Sequence, residues 1–103
     1  MKVFVIDPFN KTIEEADYDG DYKSIYALGD FQIFEVVTFN RHSDGVFLDE
    51  EGLFKDDQRF FMIEGYPQPL AGKGVVLGCD DMGASTSPHV TMEWLQNNVR
   101  FQP

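Results

Sequence analysis

The sequence predicts an α+β domain, mostly an antiparallel sheet of about five to seven short strands with two short helices. Short β-branched and aromatic runs alternate with Gly, Pro, Asn and Asp clusters, a pattern typical of strands joined by tight turns. Only two short segments place apolar residues at helical spacing. The length of 103 residues, without a repeat or an evident linker, fits a single domain over residues 1–103.

The N-terminal segment predicts a hairpin. Lys2–Ile6 is β-branched and aromatic, and it ends at the turn signal Asp7-Pro8. Thr12–Tyr18 has no cleanly apolar face. We therefore expect it to be an edge strand, where its acids would discourage pairing with another chain.

The next segment predicts a short helix. Asp19-Gly20-Asp21 offers a helix start and Gly29 a natural stop. Tyr22, Ile25 and Tyr26 fall at helical spacing, so we expect all three on a buried stripe. So short a helix needs docking on the sheet to be stable.

The middle of the chain predicts a second hairpin. Phe31–Phe39 and Val46–Leu48 should pair antiparallel across Ser43-Asp44-Gly45. A further turn is expected at Asp49–Gly52, and another short strand at Phe60–Ile63.

The C-terminal part predicts a strand, a helix and a last strand. Gly65–Pro69 contains two prolines and should lack regular structure. The glycines beside Val75–Leu77 suggest close backbone approach or a bulge. Thr91 can cap a helix through Trp94 and Leu95. Val99–Phe101 then forms a final strand.

Charge limits the possible partners. Eighteen acids against eight bases give a net charge of −10. This charge opposes binding to nucleic acid, which requires Lys and Arg to displace counterions, and it disfavours anionic membranes. A basic protein would be attracted. The ordinary interpretation of such a charge is solubility.

The single cysteine and the N-terminus predict a cytoplasmic protein. Cys79 cannot form an internal disulfide. The apolar run Val3–Ile6 is too short for a signal peptide or a membrane span.

Three patterns in the sequence resemble functional motifs, but the residues that these motifs require do not support them. Asp17, Asp19 and Asp21 alternate as in a calcium loop, but the glycine and the closing glutamate are missing. The glycines of Gly65–Gly78 match neither a phosphate loop nor a dinucleotide fingerprint. Cys79 could act as a nucleophile with His42 or His89 as base and Asp80 or Asp81 as orienter. A lone cysteine after an apolar strand is more often a packed filler.

The grouping of acidic residues is the most distinctive feature of the sequence. One group lies between Glu14 and Asp21, and another between Asp49 and Asp57. With interleaved aromatic residues they suit a protein interface. The alternative is an ordinary solvated face. Because Tyr22 is expected in the buried stripe, Tyr18 is the preferred aromatic anchor. The predicted partner-binding residues are Glu14, Glu15, Asp17, Tyr18, Asp19 and Asp21.

Several stretches resemble one family. They are Asp7-Pro8 with Thr12-Ile13, Tyr22–Tyr26, Asp49–Leu53 and, most specifically, Gly65–Gly74. In these the chain is similar to short uncharacterised bacteriophage-encoded proteins that share a domain of unknown function. The resemblance implies a phage or prophage origin and a bacterial host cytoplasm. It implies no activity and no catalytic residue.

The sequence therefore predicts a non-enzymatic accessory protein that binds a host or phage macromolecule, a basic protein rather than nucleic acid or membrane, without cofactor or metal. The alternative is a small-molecule-binding protein. Its pocket would be shaped by Tyr66, Pro67, Gln68, Gly72, Lys73 and Gly74.

Overall fold

The structure is a computed structural model, and it describes residues 1–29, 34–49 and 58–102. Over these residues the chain forms nine strands and two helices. In order they are β1 Lys2–Asp7, β2 Thr12–Asp17, α1 Lys23–Gly29, β3 Phe34–Thr38, β4 Gly45–Asp49, β5 Phe60–Ile63, β6 Leu70–Ala71, β7 Gly74–Cys79, β8 Ser85–Thr86, α2 Met92–Asn98 and β9 Val99–Phe101.

The α+β class is confirmed, and the described strands divide into two antiparallel sheets. The larger has the order β2-β1-β7-β4-β3, with β8 paired to β7, and the smaller has the order β6-β5-β9. The two-residue strands β6 and β8 bring the strand number above the expected five to seven. The edge position predicted for β2 is confirmed.

Both predicted hairpins are confirmed. In the first, Lys2 lies opposite Asp17 and Ile6 opposite Ile13. In the second, Val37 lies opposite Val46 in antiparallel register. The predicted strand Phe31–Phe39 is observed as Phe34–Thr38. Residues 31–33, most of the turn predicted at Asp49–Gly52, and the acids of 50–57 lie outside the described residues.

The turn of the second hairpin contains the predicted Ser43 and Asp44, but it begins earlier and ends one residue before the predicted Gly45. Gly45 already belongs to β4, and the reversal occupies residues 40–44. The Asn40 side chain organises it, because Oδ1 accepts hydrogen bonds from the backbone N–H groups of His42 and Asp44, both at 3.0 Å. Ser43 adopts a left-handed φ of 66°. An asparagine side chain can thus replace the backbone contacts of a tight Asp-Gly turn.

The larger sheet is covered on both faces. One face packs on α1 through Ile25, with Val3, Val75 and Leu77 from the strands. The other face packs on the smaller sheet and α2 in the main core. The main core contains Phe4, Ile6, Phe39, Val46, Leu48, Phe61, Ile63, Leu70, Val76, Leu95 and Val99. The alternation of inward and outward residues along β1 and β7 supplies both faces.

The predicted close approach of another backbone is observed at Gly78, where a Cβ atom would lie 2.6 Å from the backbone oxygen of Ser87. Gly74 on the same strand is crowded by side chains instead. A Cβ atom at this position would lie 2.6 Å from Val46 Cγ1 and 2.8 Å from Phe61 Cζ. Phe61 is fully buried between the two sheets. The missing side chain of Gly74 therefore makes room for this ring.

The structure corrects the burial predicted for two tyrosines. Helix α1 begins at Lys23, so Tyr22 precedes it, and 57% of Tyr22 is exposed. Tyr18 is only 3% exposed and packs with Ile25. The burial predicted for Tyr22 from helical spacing was wrong because Tyr22 is not in the helix.

The second helix follows the prediction. Thr91 Oγ1 accepts a hydrogen bond from Trp94 N at 3.1 Å, a standard N-cap contact. The chain passes directly from α2 into β9. No helix among the described residues is long and apolar enough to cross a membrane.

Candidate functional site

Five acids form what we call the acidic edge: Glu14, Glu15, Asp17, Asp19 and Asp21. All five are exposed. The first three lie on β2, the outer strand of the larger sheet. Lys2 on the neighbouring strand is 3.8 Å from Glu15 and 3.6 Å from Asp17, in exposed ion pairs that contribute little to stability. These predicted residues therefore share one edge of the larger sheet and the segment that follows it, with Glu15 and Asp17 on one face of β2 and Glu14 on the other.

The aromatic residue beside the acidic edge is Tyr22, not Tyr18. Burial raises the pKa of the Tyr18 phenol, and the charges of Asp19 and Asp21 raise it further. The exposed Tyr22 ring contacts Tyr26 edge-on, with the ring centroids 6.4 Å apart. An anchor for a partner must be accessible, and of these two tyrosines only Tyr22 meets that condition.

Asp19 and Asp21 also have local structural roles. The Asp19 carboxylate accepts hydrogen bonds from Asp21 N and Ser24 Oγ, each at 2.9 Å, and these bonds lower its pKa. Asp21 Oδ1 accepts from Lys23 N at 3.0 Å. These two acids therefore shape the start of α1. Among the described residues, Glu14, Glu15 and Asp17 show no comparable hydrogen bonds to the backbone, and Glu15 and Asp17 contact only Lys2 through their charges.

The structure gives different surroundings to the residues predicted for the pocket of the alternative function. Tyr66 and Pro67 line an open depression of about 460 Å³ together with Glu64 and Arg100. Gly74 is buried in the core. The other predicted residues of this set, Gln68, Gly72 and Lys73, are not in the lining of that depression.

A second candidate site is organised by Asp44, a buried carboxylate in the turn between β3 and β4. Asp44 is fully buried. Its oxygens accept from the backbone N–H of His89 at 2.9 and 3.0 Å, from that of Val90 at 3.1 Å, and from Asn40 Nδ2 at 3.0 Å. Asp44 therefore ties the 40–44 turn to the segment before α2.

Asp44 also holds the ring of His89. The distance between His89 Nδ1 and Asp44 Oδ1 is 3.1 Å. Burial alone raises the pKa of Asp44, but the hydrogen bonds from His89, Asn40 and Val90 outweigh it, and the pKa is lowered. An ionised carboxylate only accepts, so Nδ1 of His89 carries the proton and Nε2 is left for other contacts.

The two histidines face an open depression. Their rings stack with centroids 5.0 Å apart and planes at 19°, and 54% of the His89 side chain is exposed. Around them lies a depression of about 670 Å³, which we call the histidine depression. Its lining is Arg41, His42, Ser43, Cys79, Asp80, Asp81, Thr86, Ser87 and His89.

A more apolar hollow adjoins the histidine depression. It measures about 410 Å³, and Val90 and Trp94 supply its apolar lining. Arg41, His42 and His89 line both hollows. Trp94 is held in place by stacking on the buried Phe39, with ring centroids 5.8 Å apart. Polar and apolar surfaces therefore meet at the histidine pair.

The structure brings together the residues that the sequence associated with Cys79, but it changes the orienting group. Cys79, both histidines, Asp80 and Asp81 all line the histidine depression. Asp44 holds His89, whereas Asp80 Oδ1 accepts from Met82 N and Ala84 N within its own turn. The contact of Asp44 with His89 could not be predicted from the sequence. Asp44 precedes Gly45, so it was interpreted as a turn residue, and His89 is 45 positions away in the chain.

Metal ligands do not cluster in this part of the chain. Among the described residues, no three side chains of His, Cys, Asp or Glu are placed so that they could hold one ion.

Comparisons with known proteins place the chain in a family without an assigned activity. It is 32% identical over 93 residues to "Uncharacterized protein y4iR" of Sinorhizobium fredii (strain NBRC 101917 / NGR234). The alignment covers 87% of this chain and 56% of the relative, so the chain spans about half of the relative's length. No solved structure matches. A family model matches residues 1–100, and the chain therefore belongs to the family described as "Domain of unknown function (DUF3846)".

Proposed function

We propose that this domain is a non-catalytic binding protein that recruits a basic protein partner through the acidic edge. The observation that carries the proposal is the position of Glu14, Glu15 and Asp17 on an exposed outer strand. Three carboxylates there, continued by Asp19 and Asp21, give a local negative field that accelerates encounter with a basic surface.

The exposed Tyr22 ring supports this proposal. It lies one residue beyond Asp21 and is the only tyrosine among the described residues that is mostly exposed. Tyrosine is enriched at the centre of protein interfaces because a large ring loses few rotamers on binding. In this proposal the acids steer the partner and Tyr22 anchors it.

The resemblance to phage-encoded proteins suggests where such a protein would act. A small acidic accessory protein of a phage or related element would act in the cytoplasm of its bacterial host. Host enzymes that handle nucleic acid present basic surfaces, which are the chemistry that the acidic edge fits.

The test is affinity capture from bacterial lysate with the wild type and two variants of equal charge. The first replaces Glu14 and Glu15 by Gln and Asp17 by Asn. The matched control replaces Glu35, Glu64 and Glu93 by Gln, three exposed acids elsewhere on the surface. We expect one basic protein to be recovered by the wild type and the control, and lost with the edge variant or at high salt.

Asp19 and Asp21 are left unchanged in this experiment because they shape the start of α1. Equal loss with both variants would show that only net charge matters, and the proposed surface would be wrong. Recovery of the same partner by the edge variant would contradict the proposal directly.

A further inference from the structure

We propose that the histidine depression binds a small organic oxyanion, a carboxylate or phosphate monoester carrying a planar apolar group, between Arg41, His42 and His89. The residues that define this site are not those of the acidic edge, although Glu15 and His89 line a common hollow. The proposal does not depend on the function proposed for the acidic edge.

The first support is the fixed orientation of His89. Its ring is half exposed, yet Nδ1 is held by a fully buried carboxylate that also accepts two backbone N–H groups. A ring that is only a surface side chain does not need such anchoring. The contact leaves Nε2 as the nitrogen that can meet a ligand, and in the imidazolium form this nitrogen donates.

The second support is the position of Arg41 beside that ring. Arg41 lines the depression and has no ion-pair partner among residues 1–29, 34–49 and 58–102. Its guanidinium fork matches the spacing of carboxylate and phosphate oxygens. The stacked His42 ring adds a second imidazole beside it.

The third support comes from the adjoining hollow, which indicates an organic ligand rather than a bare ion. Val90 and Trp94 supply apolar surface directly beside the same three residues. A ligand whose anionic group meets Arg41 and whose planar group lies against Trp94 would use both hollows. Burial of an aromatic ring contributes substantially to affinity.

Asp80 and Asp81 line the depression, and their negative charges oppose the binding of an anion. Changing them therefore tests the charge of the ligand. Asp80 is occupied by hydrogen bonds within its own turn, but Asp81 brings an exposed negative charge to the lining. Neutralising this charge should strengthen binding of an oxyanion and weaken binding of a cation. Asp81→Asn therefore distinguishes the two ligand classes.

The experiment is a titration followed by the ¹H–¹⁵N spectrum of the protein, with phenyl phosphate, benzoate and inorganic phosphate as probes. We expect saturable shifts at residues 41–43, 86, 87, 89 and 90. Phenyl phosphate or benzoate should bind roughly tenfold more tightly than inorganic phosphate because of the apolar contact. Whichever of the two binds better identifies the phosphate or the carboxylate as the preferred head group.

Arg41→Gln should weaken binding at least tenfold, about the loss of one charge-assisted hydrogen bond. Asp81→Asn should strengthen it, and Arg100→Gln, at the depression beside Tyr66, should leave it unchanged. Arg41 is exposed on a turn, so its replacement should leave the rest of the spectrum intact. Absence of saturable shifts, equal effects of the two arginine variants, or weaker binding after Asp81→Asn would overturn the proposal.

Discussion

Asp44 Oδ1 lies 3.1 Å from Nδ1 of His89, although the two residues are 45 positions apart in the chain. The same carboxylate accepts the backbone N–H groups of His89 and Val90. A single buried acid therefore fixes both the path of the segment before α2 and the ring that faces the histidine depression.

The first prediction concerns the stability provided by Asp44. Asp44→Ala removes the acceptor for two partly buried backbone N–H groups and for Asn40 Nδ2. We expect the free energy of unfolding to fall by roughly 2–4 kcal/mol, because buried donors left without partners are costly. Urea denaturation followed by circular dichroism measures this change. Asp81→Ala, at an exposed position, is the control and should change stability by less than about 0.5 kcal/mol.

The second prediction is the pH dependence of that contribution. Because folding lowers the pKa of Asp44, its ionised form stabilises the fold above the unfolded pKa of about 4. The contribution is then lost as pH falls through the lower folded value. The stability difference between the wild type and Asp44→Asn should be constant from pH 5 to 7 and shrink below about pH 4. A difference that grows on acidification would contradict the assigned direction.

The third prediction concerns the space beside Gly74. Gly74→Ala places a methyl group against Val46 and Phe61, and we expect a loss of roughly 1–3 kcal/mol from overpacking. Phe61→Leu shortens the opposing side chain and should lessen the effect of the added methyl group. A double-mutant cycle measures this coupling, which should be at least about 0.5 kcal/mol. Additive effects would show that the two residues do not compete for the same space.

The fourth prediction separates the two tyrosines near the acidic edge. Burial raises the pKa of Tyr18, and the charges of Asp19 and Asp21 add to the shift. In an absorbance titration of phenolate, Tyr18→Phe should therefore remove a component that titrates above pH 10.

Stability distinguishes the same pair independently. Tyr18→Ala should lower the free energy of unfolding by roughly 3–5 kcal/mol, as expected for a buried aromatic ring. Tyr22→Ala should cost less than about 1 kcal/mol, since that ring is mostly exposed. If Tyr22→Ala proved the more damaging change, the assignment of Tyr22 as the accessible anchor would be wrong.

The sequence by itself determined the strands longer than two residues, both hairpins, the cap at Thr91 and the close approach at the glycines beside Val75–Leu77. Each depends on neighbouring residues: alternating apolar positions, turn residues, a hydroxyl three positions before a backbone N–H, or a glycine inside an apolar strand. The net charge likewise needs only a count of residues.

Only the tertiary structure decided which tyrosine is buried and where the histidines meet. Tyr22 fits a helical pattern, but α1 begins one residue later, and docking on the sheet buries Ile25 and Tyr18. Asp44, His42 and His89 come together because β4 pairs with β7 and the chain then turns back through residues 80–90. Contacts between residues so distant in sequence depend on the packing of whole elements, and no local periodicity encodes them.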